Sequence, residues 1–474
     1  MTTPSSRAKR SLISSAGRWP LRLGVVIVVM GGTLGMLVEP ASAHGVGKRG
    51  DLPLPLWQFV WAAVIALAVS VGAAGILWTS PRLRRLSNGR EAPPLLDRAT
   101  PIVRLSSRAI GLAIFAITLY AAFFVDESLS RNIAPFSIFV ALWVGLQFVS
   151  AVFGDLYRSV NPLDTIVQAL EKLLRLDQHR AGDRGFDHWP AAVSMLGFLW
   201  LELAYHEPSE PRLLGWLMLV YSVFHIVMAL RVGRRWLETG EAFAALFTII
   251  AALSPLARDS KGRLRLRLPG SGLAAMEVLP GTGVLILVTL GGTSFDGLSR
   301  TSFWGDIAAS RSGWTLTFVN SLGLLWMIAI AFALYSLATR RIAAVADGDS
   351  EAAFVRFVPS LVPIMVGYAV AHYFSLFLLD GGQDFLILLS DPFDQGWSLF
   401  GTRDWTVNFL LVSATTIAWV QALGIILGHI AGVLVAHDKA LDVYDGSVAV
   451  RSQYPMVGVM MIYTVGALVL LLGA

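Results

Sequence analysis

Long apolar runs separated by short polar loops organise the chain from end to end. They predict helices over about 56–78, 108–125, 136–153, 191–206, 212–231, 274–292, 315–339, 357–380, 405–436 and 453–473. Most approach the ~20 apolar residues that a helix needs to cross a bilayer. The period-2 alternation of a transmembrane β-barrel is absent, and in lipid the backbone must satisfy its own hydrogen bonds, so the spans are read as helices. An eleventh run, "EAFAALFTIIAALSPL" at 241–256, falls short of that length.

Charge decides how the eleventh run is placed. Arg7, Lys9, Arg10, Arg18 and Arg22 precede the apolar stretch Leu23–Val38, and Ala41-Ser42-Ala43 follows it. That is the pattern of a signal peptide over 1–43, with cleavage after Ala43 and His44 left outside. From an outside start, the basic loops "SPRLRRLSNGR" and "RVGRR" fall inside, while "DESLSRN" and "HEPSEPR" fall outside. A crossing at 241–256 would put "RDSKGRLRLRLPG", "ATRRIAAVADGD" and "HDKALDVYDGSVAVR" outside, against the positive-inside rule. The segment is therefore expected to be re-entrant or to lie at the inner surface. The resulting expectation is an all-α, polytopic protein of the cell membrane with ten crossings in one transmembrane domain, 44–474, and both mature termini outside. The inner loop 154–190 carries an amphipathic pattern, "LDTIVQALEKLLRL", and "GRLRLRLPG" alternates as a short β-hairpin does. Outer loops are expected at 293–314 and 381–404.

Composition agrees with the pattern. Of 474 residues, 55% are hydrophobic and 15% charged, too few charges for a soluble chain of this size. The formal charge of +5 does not signal nucleic acid, because the Lys and Arg residues sit mainly in short loops beside apolar runs. With no cysteine, disulfides, thiolate metal sites and Cys nucleophiles are excluded. A formal GxGxxG at Gly45–Gly50 has no preceding strand and no βαβ unit around it, so it is read as linker.

Candidate chemistry lies in the few ionisable residues placed in helices, which are costly in lipid. These are Glu202, His206, His225, Glu277, His372, His429 and His437. Counting ~1.5 Å per residue sorts most of them into two tiers. Glu202, His206 and His372 form an outer tier; His225, His429 and His437, with Asp438, form an inner one. Each tier is a candidate site for Zn or Cu or a proton relay station, since imidazole and carboxylate suit both roles. The competing reading is that each His only hydrogen-bonds a neighbouring helix. An N-terminal His44 would offer a nitrogen chelate for Cu(II), against an incidental His at a processing site. Tyr368 and Ser375 share the helix face of His372. Gly424, Gly428, Gly432 and Ala436 form a small-residue row that lets another helix approach. Asp380, Gln383, Asp384, Asp391 and Asp394 crowd an outer loop, as a cation mouth or as solvated loop acids, the latter favoured.

The stretches "GDLYRSVNPLDTI", "GGTSFDGLSRTSFW", "AHYFSLFLLDGGQ", "SDPFDQGWSLFGT" and "GHIAGVLVAHDKAL" resemble an actinobacterial family of polytopic membrane proteins labelled fenitrothion hydrolase. The resemblance implies phosphotriester hydrolysis and carries no agreed catalytic residues. Two functions follow as expectations. One is a membrane-embedded, metal-dependent hydrolase of a hydrophobic organophosphate, with Glu202, His206 and His372 as ligands or general base. The other is a metal-ion or proton-coupled transporter with the two tiers as stations. A scaffold subunit among other membrane subunits is the third.

Overall fold

A computed structural model describes residues 53–175, 187–259 and 261–472. The predicted signal peptide and His44 lie outside the described residues. Among those described, nine helices are long and apolar enough to cross a membrane. They are α1 (Leu56–Leu77), the stretch Pro101–Phe124 of α2 (Pro94–Phe124), α3 (Phe136–Phe153), α6 (Pro211–Val232), α8 (Thr282–Ser299), α9 (Gly313–Val345), α10 (Ser350–Leu378), α12 (Ala414–Leu441) and α13 (Gly446–Leu472). The shorter α5 (Trp189–Leu203) completes the ten predicted apolar helices. The chain is thus an all-α polytopic membrane protein whose lipid-facing helices contact the bilayer.

Helix α8 is the hub, with 83% of its apolar window buried, against 17% for the peripheral α2. Gly291 and Gly292 explain how it packs on two sides at once. A Cβ on Gly291 would lie 2.5 Å from Ile328 Cα on α9, and one on Gly292 would lie 2.7 Å from Leu199 Cδ1 on α5. The small-residue row on α12 works the same way. A Cβ on Gly428 would meet the Pro363 carbonyl at 2.7 Å, and one on Gly432 would meet Ser360 O at 2.7 Å. From the other side, a Cβ on Gly367 would meet Gly424 O at 2.5 Å. Helices α10 and α12 therefore touch through their backbones and form the most extensive helix pair of the protein.

The run at 241–256 forms a helix too short to span, as its length predicts. It forms α7 (Ala242–Ala251), in which every residue but Thr248 is buried. Ten residues span only ~15 Å, half the hydrocarbon core, so α7 does not cross. Both of its ends are served. Glu241 accepts from the N–H groups of Phe243 and Ala244 at 3.0 and 2.8 Å, and Tyr221 donates its hydroxyl to the same carboxylate. At the far end, Arg267 donates to the carbonyls of Ala251 and Ser254 at 2.8 and 2.9 Å. A charge of the right sign thus meets each end of the helix dipole.

On the same side lies the predicted hairpin, β2 (Leu256–Arg258) and β3 (Leu264–Leu266), which pairs Ala257 with Arg265. A further strand, β1 (Arg90–Glu91), adds antiparallel to β3. The amphipathic inner-loop helix is α4 (Pro162–Leu173), capped by Asn161 and burying Leu163 and Val167.

Several predicted boundaries move. The span set at 274–292 is α8 at 282–299, so most of the expected outer loop 293–314 is helical, and Glu277 is exposed in the link before α8. The span set at 405–436 is α12 at 414–441, preceded by an irregular segment. The loop 381–404 begins as helix α11 (Asp380–Ser390). Gly291 and Gly292, at the end of the predicted span, cost helix propensity, but they permit close contacts with α5 and α9 and the helix continues to Ser299.

Candidate functional site

Asp296 is the residue around which the buried polar groups gather. It sits on α8, one turn before the end of the helix, and is 5% exposed. His372 on α10 meets Asp296 Oδ2 through Nε2 at 2.8 Å. Tyr373, the next residue, donates its hydroxyl to the same oxygen at 2.9 Å. Arg300, one turn further along α8, donates from Nε to Oδ1 at 3.2 Å. One carboxylate is therefore shared by an imidazole, a phenol and a guanidinium. The Arg300 side chain is 62% exposed, so the cluster extends from the interior to the surface.

The surroundings fix these groups in place. Trp143 on α3 donates its indole N–H to Tyr373 Oη at 3.4 Å. Tyr368, one turn before His372, stacks on the imidazole with ring centres 5.8 Å apart and planes 12° from parallel. Its hydroxyl is buried without a hydrogen-bond partner, against Gly297. Within this shell, His372 Nδ1 is likewise buried and unpartnered. An ionised Asp296 accepts from Nε2–H, which leaves the lone pair of His372 on Nδ1.

Glu202 joins the cluster through helix register. On α5 and α8, His188 meets Thr282 and Leu199 meets Gly292, so eleven residues of one helix match ten of the other. Three residues on, Glu202 comes level with Phe295 and Asp296. It lies within electrostatic range of Asp296 and Arg300, and its Oε2 is buried with no partner.

The remaining predicted site residues go elsewhere. His206 lies past the end of α5, with Nδ1 2.8 Å from Thr317 Oγ1 and its ring against Trp314 and Tyr205. The outer tier thus keeps Glu202 and His372, loses His206 and gains Asp296. The inner tier does not form a cluster. His225 Nδ1 accepts from the Trp236 indole at 3.0 Å, which places its proton on Nε2. His429 Nδ1 bonds Ile425 O at 2.9 Å within its own helix. His437 donates from Nε2 to Trp78 O at 2.9 Å. Asp438 accepts from the Trp78 indole and from the N–H groups of Arg82 and Leu83 at 3.0, 2.6 and 3.2 Å. These last two residues fasten the end of α1 to α12. Among the described residues, no three His, Asp or Glu side chains gather as a metal-holding group.

The loop acids are mainly structural. Asp391 accepts from the N–H groups of Gln395 and Gly396 at 2.9 and 2.8 Å, and Asp394 pairs with Arg131 at 3.2 Å. Asp296 itself escaped the sequence reading because the predicted span stopped four residues before it. The signal that could have found it is the i, i+4 pair Asp296/Arg300 in "FDGLSR", the spacing of a helical ion pair. Comparison with protein-family models, with curated proteins and with solved structures returned no match.

Proposed function

We propose that this protein is a proton-coupled transporter of the plasma membrane in which the Asp296 cluster is the proton-binding station. The observation that carries the reading is the single buried carboxylate of Asp296, shared by His372, Tyr373 and Arg300 at 2.8, 2.9 and 3.2 Å. Ionisable groups held inside a helical bundle mark ion pathways and proton relays, because their burial is costly without a function. Two carboxylates and an imidazole are side chains of the kind that carry protons along a relay, and Arg300 leads from the buried carboxylate to the surface. By the positive-inside rule the hairpin side faces the cytoplasm, so the cluster lies in the outer half of the membrane.

Proteoliposomes loaded with a pH-sensitive dye test this. Wild-type protein is expected to dissipate an imposed pH gradient, with the rate lost in Asp296→Asn and His372→Gln but kept in His437→Gln. Equal proton flux in wild type and Asp296→Asn would refute it.

A second reading is favoured by one feature of the same site. His372 is oriented through Nε2 by a carboxylate and keeps Nδ1 unpartnered, the arrangement of a general base that activates water. Hydrolysis of an organophosphate triester by the same proteoliposomes, lost in His372→Gln with no proton flux in wild type, would select it.

A further inference from the structure

A cavity of about 1040 Å³ opens on the hairpin side, well away from Asp296. Its walls come from α2, α4, α7, the segment Tyr157–Val160, the link after α6 and the hairpin. Seven arginines line it against five carboxylates. Several of the acids are already engaged. Asp164 Oδ1 takes both Nε and Nη2 of Arg234, at 2.9 and 2.6 Å, and its other oxygen is 3.6 Å from Arg108. Glu238 pairs with Arg158. Asp155 accepts from Arg158 N and Thr248 Oγ1 at 3.2 and 3.0 Å, and burial pushes its carboxyl up from the usual range.

Positive charge is left over. Arg108 Nε is buried with no hydrogen-bond partner, although its Nη2 faces Asp164. Arg104, one turn away on the same face of α2, pairs with no carboxylate among the described residues. Among the described residues, the guanidinium groups of Arg258 and Arg267 donate to backbone carbonyls and pair with no carboxylate. Burial also lowers Arg267 from the usual guanidinium range.

We propose that this cavity binds a phosphate-bearing organic anion. Guanidinium groups match phosphate oxygens as planar forks, and here they approach one volume from several elements and directions. That suits a tetrahedral anion better than a flat carboxylate. The volume is larger than a bare phosphate needs and lies at the upper end of small-molecule sites. Phe153, Leu256 and Met276 on the wall provide apolar surface for an organic body. Arg104 and Arg108 stand where the apolar run at about 108–125 of α2 begins, which is headgroup depth. The phosphate could thus arrive on a soluble glycerophosphate or on a phospholipid headgroup. The inference does not depend on proton movement at Asp296.

The test uses full-length protein in phosphatidylcholine nanodiscs, followed by its thermal unfolding midpoint. Glycerol 3-phosphate is titrated in one arm, and phosphatidylglycerol is added to the nanodiscs in the other. A rise in midpoint with glycerol 3-phosphate assigns a soluble ligand; a rise with phosphatidylglycerol alone assigns the lipid. In either case Arg108→Gln should weaken the apparent affinity by about tenfold or more, the scale of a lost charge-assisted hydrogen bond. Arg104→Gln, at an exposed position, gives the same reading if Arg108→Gln folds poorly. The proposal is overturned if neither probe raises the midpoint, or if the rise is undiminished in Arg104→Gln and in folded Arg108→Gln.

Discussion

Gly297→Ala gives a quantitative test of the packing behind the Asp296 cluster. A Cβ at Gly297 would stand 2.1 Å from the Tyr368 hydroxyl oxygen and 3.5 Å from its Cζ. The first distance is far inside contact, the second is ordinary contact. Tyr368 is stacked on His372 and buried, so the ring has little room to retreat. Overpacking of this kind costs about 1–3 kcal/mol. Against it, Ala gains at most about 1 kcal/mol over Gly in a helix, and less here because Gly297 lies in the last turn of α8. The single variant should therefore be destabilised by up to about 2 kcal/mol. Tyr368→Phe removes the one atom that clashes, and that hydroxyl has no hydrogen bond to lose. Combined with Tyr368→Phe, Gly297→Ala should reverse sign and stabilise by less than about 1 kcal/mol. Thermal unfolding of the purified protein in detergent, followed by tryptophan fluorescence, reads all four members of the cycle. If Tyr368→Phe fails to rescue Gly297→Ala, the ring does not sit against this glycine and the geometry given for the cluster is wrong.

Three other outcomes follow from particular contacts. Gly428→Leu forces a side chain into Pro363 O, 2.7 Å from where its first carbon would lie, and should abolish recovery of monodisperse protein in size-exclusion chromatography. Asp438→Ala leaves the Trp78 indole and two N–H groups unpaired, at a cost of about 2 kcal/mol in the same unfolding assay; a change within error would mean the α1–α12 fastening is dispensable. Burial lowers the His188 imidazole from 6.5 to about 4, so the unfolded chain takes up this proton first as pH falls. The contribution of neutral His188 is therefore complete above 6.5 and declines between 6.5 and about 4. His188→Asn should flatten the stability profile across that window, and an unchanged slope would assign the acid sensitivity to other groups.

Much of the architecture was legible in the sequence because lipid imposes simple rules. Apolar run length located the helices and marked 241–256 as shorter than a span. The spacing of Gly424, Gly428 and Gly432 announced a close helix contact before its partner was known. The site was only half legible. Glu202 and His372 stood out as charges in apolar runs, but depth along separate helices says nothing about which faces meet. His206 shares the level of His372 and is committed to Thr317. Asp296 was hidden because the predicted span stopped at 292, whereas the helix runs on to Ser299. His437 and Asp438 resembled a functional pair because pattern alone does not reveal backbone groups, and their partners at Trp78, Arg82 and Leu83 are mainly backbone.

The shared register of α5 and α8 has a mechanical consequence. His188 and Thr282, at the foot of the two helices, are hydrogen-bonded and His188 lines the arginine cavity. Glu202 and Asp296 stand 14 residues further along each helix, about 21 Å away. The two helices run parallel, and Leu199 fills the space beside Gly292 between these points, so sliding one along the other would break the His188–Thr282 hydrogen bond and drive Leu199 into the α8 backbone. One pair of parallel helices therefore carries both a wall of the arginine cavity at its foot and two buried carboxylates at its top, whereas His372 is carried by a different helix.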